Sequence, residues 1–455
     1  MFKRYLFSPW VRKLSPPQIL IIFYLLAVIL STFILSLPVS YQEGIQVKFI
    51  DTLFVAVSAL SVTGLTPISV ADTFSTTGIY FIAFILHLGA VGVMTVSTFI
   101  WLLLGKKIGL SERRLIMQDQ NQTAFGGMVN LIKQILYVVF VVEASGILIL
   151  GTYFLHYFDS AKEAYFQGFF STISAISNAG FTLSDNSLTI YSNDYFVQSI
   201  IMFLIIFGAI GFPVLIELKH YILLDKKTKR SFRFSLFTKV TSITFFSLVF
   251  LGTVLIYVFD MFGFMKDKAW HEGLFYALFQ SITTRSAGLS TMDVSLLTEP
   301  NQLFMSFLMF VGASPSSAGG GIRTTTLALV VIFIITYARG GRKVKLFNRQ
   351  IYERDLLKAV TVMVLALVFI FVSVILLLVV EPFSLNQLIF EITSAFGTVG
   401  LSLGITEDLT TFSKLLLMFL MFVGRIGVVT FLYTFRKESQ NDDHFRYPKE
   451  RIIIG

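Results

Sequence analysis

Long apolar segments alternate with short polar ones along the whole chain. Runs of roughly 20 predominantly apolar residues, the length that crosses a bilayer as an α-helix, recur from residue 18 to residue 434. Their positions predict eight membrane spans, at 18–40, 77–104, 131–157, 195–224, 234–260, 303–337, 357–380 and 412–434. The polar stretches between them are too short for a large soluble domain, so the pattern predicts an all-α integral membrane protein.

Each pair of spans encloses a half-apolar segment that is too short to cross the membrane. These four segments, which we predict to be re-entrant pore helices, lie at 50–60, 164–176, 273–284 and 386–396. The order span, re-entrant helix, span therefore occurs four times and predicts four units around a central pore with pseudo-four-fold symmetry. The units are 18–104, 131–224, 234–337 and 357–436, between an N-terminal segment at 1–17 and a C-terminal tail at 437–455.

A shared register of glycines indicates that the four units are repeats. Each re-entrant segment ends in a glycine followed by an apolar residue, at Gly64, Gly180, Gly288 and Gly400. Second glycines follow 24 to 28 residues later and open the motifs G-A-V-G, G-A-I-G, G-A-S-P and G-R-I-G, at Gly89, Gly208, Gly312 and Gly424. In three units a serine stands six residues before the first glycine, at Ser58, Ser174 and Ser394. Apolar segments can share residue types by chance, but two glycines in register across four units indicate true repetition.

The four-residue segments that end at the first glycine of each unit are candidates for an ion selectivity filter. Extended backbone at this depth is tolerated only where it is buried or lines water, and its carbonyl oxygens can replace the hydration shell of a cation. Turning successive carbonyls to one side requires positive φ, which glycine adopts freely. Such glycines could instead be helix C-caps in outer loops, but four in register favour a filter. The predicted filter residues are Ser61, Val62, Thr63, Gly64, Ser177, Asn178, Ala179, Gly180, Arg285, Ser286, Ala287, Gly288, Gly397, Thr398, Val399 and Gly400.

The sixth span contains a run that cannot continue as a regular helix. Proline removes a hydrogen-bond donor and clashes with the preceding turn, and glycine has little helical preference. A kink supported by neighbouring helices is the simpler alternative. Nine consecutive small or helix-breaking residues in one unit favour a flexible loop across the pore, formed by Ala313, Ser314, Pro315, Ser316, Ser317, Ala318, Gly319, Gly320 and Gly321.

Charged residues inside the predicted spans are further candidates. Arg425 lies in the eighth span, where an unpaired charge is costly, so it either pairs with helix ends or loop carbonyls, or limits cation flux below the filter. Arg323 is a similar cation or one that extends to the membrane surface. Arg285 makes the third filter segment asymmetric. Glu143 and His87 are predicted to be satisfied buried residues, because no further acids connect them into a proton path.

Composition excludes several function classes. The 455 residues are 55% hydrophobic and 14% charged, and they include no cysteine, which excludes thiolate catalysis and cysteine-ligated metals. The five histidines show no H-E-x-x-H spacing, and no G-x-x-x-x-G-K-[ST] motif is present, which argues against a zinc enzyme and a nucleotide-driven pump. With no convergent nucleophile and base, the chain is predicted not to be an enzyme and to bind no organic cofactor.

The distribution of charge predicts the orientation. The formal net charge is +9, and Lys and Arg cluster in alternate loops, at 106–114, 226–233 and 339–349, whereas the loops between them carry mostly acids. By the positive-inside rule both termini and the basic loops are cytoplasmic. Anionic lipid headgroups are the expected partners of such a basic surface, and nucleic acid is not.

Four span–filter–span units in one chain resemble the superfamily of Ktr, Trk and HKT potassium transporters. The motifs that carry the resemblance are K-L-S-P-P-Q at 13–18, the filter segments, S-P-S-S-A-G-G-G-I-R-T-T at 314–325 and G-R-I-G at 424–427. They are most similar to the membrane subunit of bacterial Ktr systems, since Trk-type members carry two further N-terminal spans. The resemblance covers essentially the whole chain.

The resemblance implies an ion, a gate and partners. Potassium is the implied substrate, because Gly64 stands where sodium-preferring relatives carry serine, and a role for sodium stays open. The loop at 313–321 is implied to be an intramembrane gate. The implied assembly is a homodimer in the bacterial plasma membrane, seated on a cytoplasmic ring of RCK subunits that bind adenine nucleotides.

Two modes of transport remain after these arguments. One is a gated, channel-like conduit for potassium driven by the membrane potential. The other is an alternating-access cation symporter, a class that is usually built from repeats with broken helices at the midplane. Four parallel repeats that each carry a re-entrant filter favour the conduit.

Overall fold

The computed structural model describes residues 15–92, 95, 128–184 and 186–434. Most of the predicted N-terminal segment, the end of the first unit, the basic loop at 106–114 and the tail at 437–455 lie outside these residues. Within them the chain is mostly helical, with one two-stranded hairpin.

Four successive stretches share one element order, in which a long helix precedes a short helix, a non-helical segment and a further helix. The first stretch contains α1 (Pro16–Leu35), α2 (Phe49–Ser61), α3 (Val70–Thr73) and α4 (Thr76–Val91). The second contains α5 (Met128–Tyr153), α6 (Ala161–Ser177), α7 (Tyr195–Ala209) and α8 (Phe212–Leu223), and α9 (Lys226–Lys229) follows it. Single 3-10 turns occur at Pro38–Ser40, Phe154–His156, Thr189–Tyr191 and Val294–Leu296.

The third and fourth stretches repeat this order. The third contains α10 (Leu236–Phe259), α11 (Trp270–Thr283), α12 (Glu299–Phe310) and α13 (Thr324–Ala338). The hairpin of β1 (Lys345–Leu346) and β2 (Arg349–Gln350) is antiparallel and pairs Lys345 with Gln350 and Leu346 with Arg349. The fourth contains α14 (Glu353–Val380), α15 (Leu385–Gly397), α16 (Thr411–Ile426) and α17 (Val428–Thr434).

The described residues include fewer straight spans than the predicted eight. Four helices are long and apolar enough to cross a membrane, at Pro16–Leu35, Asn130–His156, Leu236–Phe259 and Glu353–Val380. Two further spans result only if bent pairs are each counted as one, α7 with α8, bent by 107°, and α16 with α17, bent by 99°. The predicted spans 195–224 and 412–434 are therefore not continuous helices.

Both bends lie at the last glycine of a repeated motif, and the first unit has a last glycine of the same conformation. Gly211 ends G-A-I-G with φ 99°, Gly427 ends G-R-I-G with φ 92°, and Gly92 ends G-A-V-G with φ 95°. A helix cannot pass through a residue with positive φ, and glycine adopts it without a Cβ clash. In the three motifs that end in glycine, this last glycine is therefore a turn residue, a role that the apolar pattern concealed.

The core consists of the short helices, and the long helices surround them. Each short helix buries an aromatic ring completely or nearly so, at Phe54, Phe170, Phe279 and Phe390. The long helices expose large apolar side chains, among them Leu26, Phe140, Phe250 and Phe371, each more than half exposed. Such extensive apolar surface marks a face that water does not cover, and it fits the hydrocarbon region of a bilayer.

Candidate functional site

Four glycines from the four units meet in a closed ring. An ideal Cβ built on Gly64 would lie 2.5 Å from the carbonyl oxygen of Ala179 and 2.9 Å from the Cα of Gly180. The same close approach joins Gly180 to Gly288, Gly288 to Gly400, and Gly400 back to Gly64. These are the four glycines at which the predicted filter segments end, and the tertiary structure brings all four together.

The backbone of each segment alternates in handedness. Positive φ occurs at Gly64, Gly180, Gly288 and Gly400, between 69° and 99°, and again two residues earlier, at Val62, Asn178, Ser286 and Thr398, between 49° and 77°. The residue between each pair has negative φ. A β-branched residue such as Val62 is strained at positive φ, and such strain persists only where the surroundings over-determine the conformation.

Serine side chains hold the first and fourth segments in place. The Oγ atoms of Ser58 and Ser394 accept hydrogen bonds from the backbone N–H groups of Gly64 and Gly400, each over 3.0 Å. In the third unit Ile282 occupies the equivalent position and offers no such acceptor. In the first and fourth units the serine six residues before the glycine therefore supports the ring directly, whereas the Oγ atom of Ser174 in the second unit is buried and makes no hydrogen bond.

The second glycines allow the following helix to approach the short helix. Ideal Cβ atoms on Gly89, Gly208 and Gly424 would overlap the carbonyl groups of Leu60, Ile176 and Phe396, each four residues before the ring glycine of its own unit. In the third unit the Cβ of Gly312 would instead meet the carbonyl of Gly320. A loop thus occupies, in the third unit, the place that the end of the short helix takes in the others.

That loop connects α12 to α13 and is largely buried. Ala313 and Ser314 are fully buried, and Ala318 is 1% exposed. Its backbone donates hydrogen bonds to the second and fourth units, from Ser314 to Ala209 (3.0 Å), from Ala318 to Gly208 (3.0 Å) and from Gly321 to Gly424 (3.1 Å). The small residues that predict a flexible loop therefore also permit close backbone contacts that fix its position.

Two arginines donate hydrogen bonds to the loop carbonyls. The Nη1 atom of Arg425 donates to Ala318 and Gly319, and its Nη2 atom donates to the carbonyls of Gly89 and Ala90 at the end of α4. Arg323 donates from Nη1 to the carbonyls of Ser314 and Gly319. Arg425 thereby connects the loop of the third unit to the first unit.

Arg285 belongs to the predicted third filter segment, but its side chain points to a neighbouring helix. The side chain is fully buried, and it donates from Nη1 to the carbonyl of Val311 and from Nη2 to that of Leu308, each over 2.8 Å. Both carbonyls belong to the end of α12, where the helix stops and the loop begins. Arg285, the residue predicted to make the third segment asymmetric, therefore binds the end of the broken helix beside it.

A buried ion pair joins the fourth unit to the first. Lys414 of α16 donates from Nζ to Asp51 Oδ1 over 2.8 Å, and both side chains are about nine-tenths buried. Asp51 lies in the first turn of α2, which ends at Ser61, the first residue of the predicted filter segment of that unit. The pair therefore connects the same two units that Gly400 and Gly64 join in the ring, and the long separation of its members hides it from sequence reasoning.

We expect Lys414→Met to lower the thermal stability of the chain more than Lys414→Met combined with Asp51→Asn. Removing one partner leaves the other charge buried without compensation, which destabilises by about 3–5 kcal/mol, whereas replacing both is less harmful. Melting temperatures in detergent, followed by size-exclusion chromatography, measure the difference. A double variant as unstable as the more damaging single variant would contradict a net contribution from the ion pair.

Two carboxylates outside this ring have clear partners. Glu381, just after α14, accepts hydrogen bonds from Thr410 and Ser413 at the start of α16. Burial alone would raise the pKa of Glu381, but these hydrogen bonds and the charge of Lys414 outweigh it and hold the pKa below its usual value. Oε1 of Glu143 in α5 lies 3.2 Å from Nδ1 of His87 in α4, so the two residues predicted to be satisfied buried residues lie next to each other.

Comparisons with known proteins point to one family. Residues 18–447 match the TrkH family model, described as a cation transport protein. The chain is 51% identical over 450 residues to Ktr system potassium uptake protein D of Bacillus subtilis, covering 99% of both chains. It is 30% identical to the potassium/sodium uptake protein NtpJ of Enterococcus hirae, covering 98% of both. The crystal structure of the potassium transporter TrkH from Vibrio parahaemolyticus has a similar fold, with a TM-score of 0.73 at 16% identity, over 96% of this chain and 86% of that one.

Proposed function

The chain belongs to the TrkH family of cation transport proteins, and we propose that it is the membrane subunit of a Ktr-type potassium uptake system, with a channel-like conduit through the ring of four glycines. Its relatives are uptake proteins, so it is a transporter and not an enzyme. The four units surround the conduit about one pseudo-four-fold axis, and the predicted eight spans include the two bent pairs.

The single observation that carries this proposal is the closed ring of Gly64, Gly180, Gly288 and Gly400. In this proposal, four segments that touch in a cycle present their backbone carbonyl groups to the common axis. Alternating φ signs turn successive carbonyls toward one side of a chain, and carbonyl oxygens can replace the hydration shell of potassium. The sixteen predicted filter residues, from Ser61–Gly64, Ser177–Gly180, Arg285–Gly288 and Gly397–Gly400, are the proposed filter.

The loop between α12 and α13 is the proposed gate. Its residues 313–321 lie against the ring-forming segments of the third and fourth units, because a Cβ on Gly319 would meet Ser286 and one on Gly320 would meet Thr398. A buried segment of this kind on the ion path would obstruct conduction until it moves. Arg425 is the proposed latch, since it binds the loop carbonyls and the end of α4 at once.

The assembly around the conduit is also proposed. The relative from Bacillus subtilis is named as part of a Ktr system, which supports control of the gate by a separate cytoplasmic subunit, here an RCK ring that binds adenine nucleotides. A homodimer, contacts with anionic lipids and cytoplasmic termini complete the proposal. The name of the Enterococcus hirae relative includes sodium, which supports sodium as a transported or activating ion.

Uptake by whole cells tests the proposal. In a bacterial strain that lacks its own potassium uptake systems, the chain is expected to support rubidium uptake, and co-expression of a cytoplasmic nucleotide-binding subunit is expected to increase the rate. An empty vector is the control, and membrane-fraction immunoblots confirm equal amounts of the chain. Uptake no greater than that of the vector, with and without the partner subunit, would refute the proposal. Accumulation driven by an imposed sodium gradient at zero membrane potential would favour the symporter instead.

A further inference from the structure

The hydroxyl of Ser286 touches the loop and the neighbouring filter segment at the same time. Its Oγ atom accepts a hydrogen bond from the backbone N–H of Gly320 over 3.1 Å. It lies 2.9 Å from the carbonyl oxygen of Gly397 and 2.8 Å from that of Thr398, and 3.0 Å from Thr398 Oγ1. Ser286 is fully buried, so no bulk water competes for these contacts.

The chemistry of a hydroxyl makes these contacts interdependent. A serine carries one O–H donor and two acceptor lone pairs, so it donates to the carbonyl of Gly397 or of Thr398 but not to both at once. Accepting the N–H of Gly320 polarises the O–H and strengthens its donation. If the loop withdraws Gly320, the hydroxyl loses this support, and the carbonyls of the fourth segment lose a fixed donor.

Arg285, the preceding residue, holds the other end of the same loop. Its guanidinium binds the carbonyls of Leu308 and Val311 where α12 ends. In a continuing helix the carbonyl of Val311 would face residue Pro315, which has no N–H to donate. Arg285 and Ser286 thus contact the loop at two places, Arg285 where it leaves α12 and Ser286 near its last glycines.

We propose that Ser286 is a positioning residue through which the loop controls the geometry of the filter, so that displacement of the loop changes discrimination between cations as well as their flux. Ser286 donates to the carbonyl of Gly397 or of Thr398, and Arg285 keeps the third segment attached to the end of α12. This inference rests on the proposed function, in which the ring is the filter and the loop is the gate.

The coupling is tested by comparing the full-length chain with a variant from which the loop is deleted. Gly312 and Gly321 lie against each other, since a Cβ on Gly312 would be 3.2 Å from the Cα of Gly321. Residues 313–320 can therefore be deleted and Gly312 joined to Gly321 with little movement of α12 and α13. Four chains are compared, namely the unmodified chain, Ser286→Ala, the deletion, and the deletion combined with Ser286→Ala.

The ratio of rubidium to sodium uptake is the readout. Ser286→Ala is expected to lower this ratio about five-fold in the full-length chain, equivalent to about 1 kcal/mol. In the deletion background it is expected to change the ratio less than about two-fold, because the hydrogen bond from Gly320 is already absent. Ser281→Ala is the matched control, since it removes a buried hydroxyl of α11 that bonds to Val249 and not to the loop.

The outcomes separate the two proposals. An equal fall of the ratio in both backgrounds, or no fall beyond that of Ser281→Ala in the full-length chain, would overturn the coupling through Ser286. The gate is tested separately, by the rubidium uptake rate. A deletion that leaves this rate unchanged would refute the assignment of the loop as a gate. A fall confined to the full-length chain supports the coupling.

Discussion

Replacing a ring glycine by alanine is expected to lower the ratio of rubidium to sodium uptake, by about tenfold at Gly288 and Gly400 and by less at Gly180. A tenfold change corresponds to about 1.4 kcal/mol. A Cβ at Gly288 or Gly400 would overlap the backbone of the next segment, whereas at Gly180 it would lie 3.1 Å from the nearest oxygen, which a small shift relieves. The displaced carbonyls would then fit the ion less well.

The order of the effects is the sharpest part of this prediction. The separation of the ideal Cβ from the facing carbonyl oxygen increases from Gly288 through Gly400 and Gly64 to Gly180, and the loss of discrimination is expected to decrease in the same order. Gly404→Ala is the matched control, because Gly404 has φ 84° with no atom within 4 Å of its ideal Cβ. If the ratio of rubidium to sodium uptake is the same in all four ring variants and in the control, the assignment of these segments as a filter is refuted.

Both Arg425→Ala and Arg425→Lys are expected to raise the maximal uptake velocity, by about tenfold. Hydrogen bonds from a charged donor contribute about 1.5–3 kcal/mol, and about 1.4 kcal/mol of lost barrier corresponds to a tenfold rate. The guanidinium of Arg425 donates from both Nη atoms, to the loop on one side and to α4 on the other. Lysine keeps the charge but lacks the planar fork that makes two such contacts.

The lysine variant distinguishes a latch from an electrostatic barrier. If the charge of Arg425 itself limits cation flux, Arg425→Lys keeps near-normal velocity and only Arg425→Ala is faster. Arg339→Ala, at the exposed end of α13, controls for the loss of an arginine elsewhere. Reduced velocity and poor expression in both Arg425 variants would show that the residue only stabilises packing.

The family and the placement of the ring glycines could be predicted from the sequence. Residues 18–447 match the family model, which confirms the resemblance drawn from the repeated motifs. Their shared register predicts these four glycines, and all four lie in the ring. Only glycine permits both positive φ and backbone contact with the next segment. That these segments select potassium stays a prediction.

Several features of the site were not predictable from the sequence. The turns at Gly211 and Gly427 lie within apolar runs that predict continuous spans, since hydropathy reports burial and not the sign of φ. The contact between Lys414 and Asp51 joins residues 363 positions apart. The role of Ser286 depends on Gly320 and Thr398, which are distant in sequence and meet only when the third and fourth units pack together.

The sequence by itself determined the membrane environment, the repeated order of elements and the positions where a side chain is not tolerated. These properties follow from local chemistry, namely apolar length, charge between spans and the freedom of glycine. The tertiary structure decided which backbone each glycine faces, where the helices bend, and which carbonyls Arg285, Ser286 and Arg425 bind. Those choices depend on contacts between units, and a hydrogen bond between distant residues leaves no pattern in the order of amino acids along one chain.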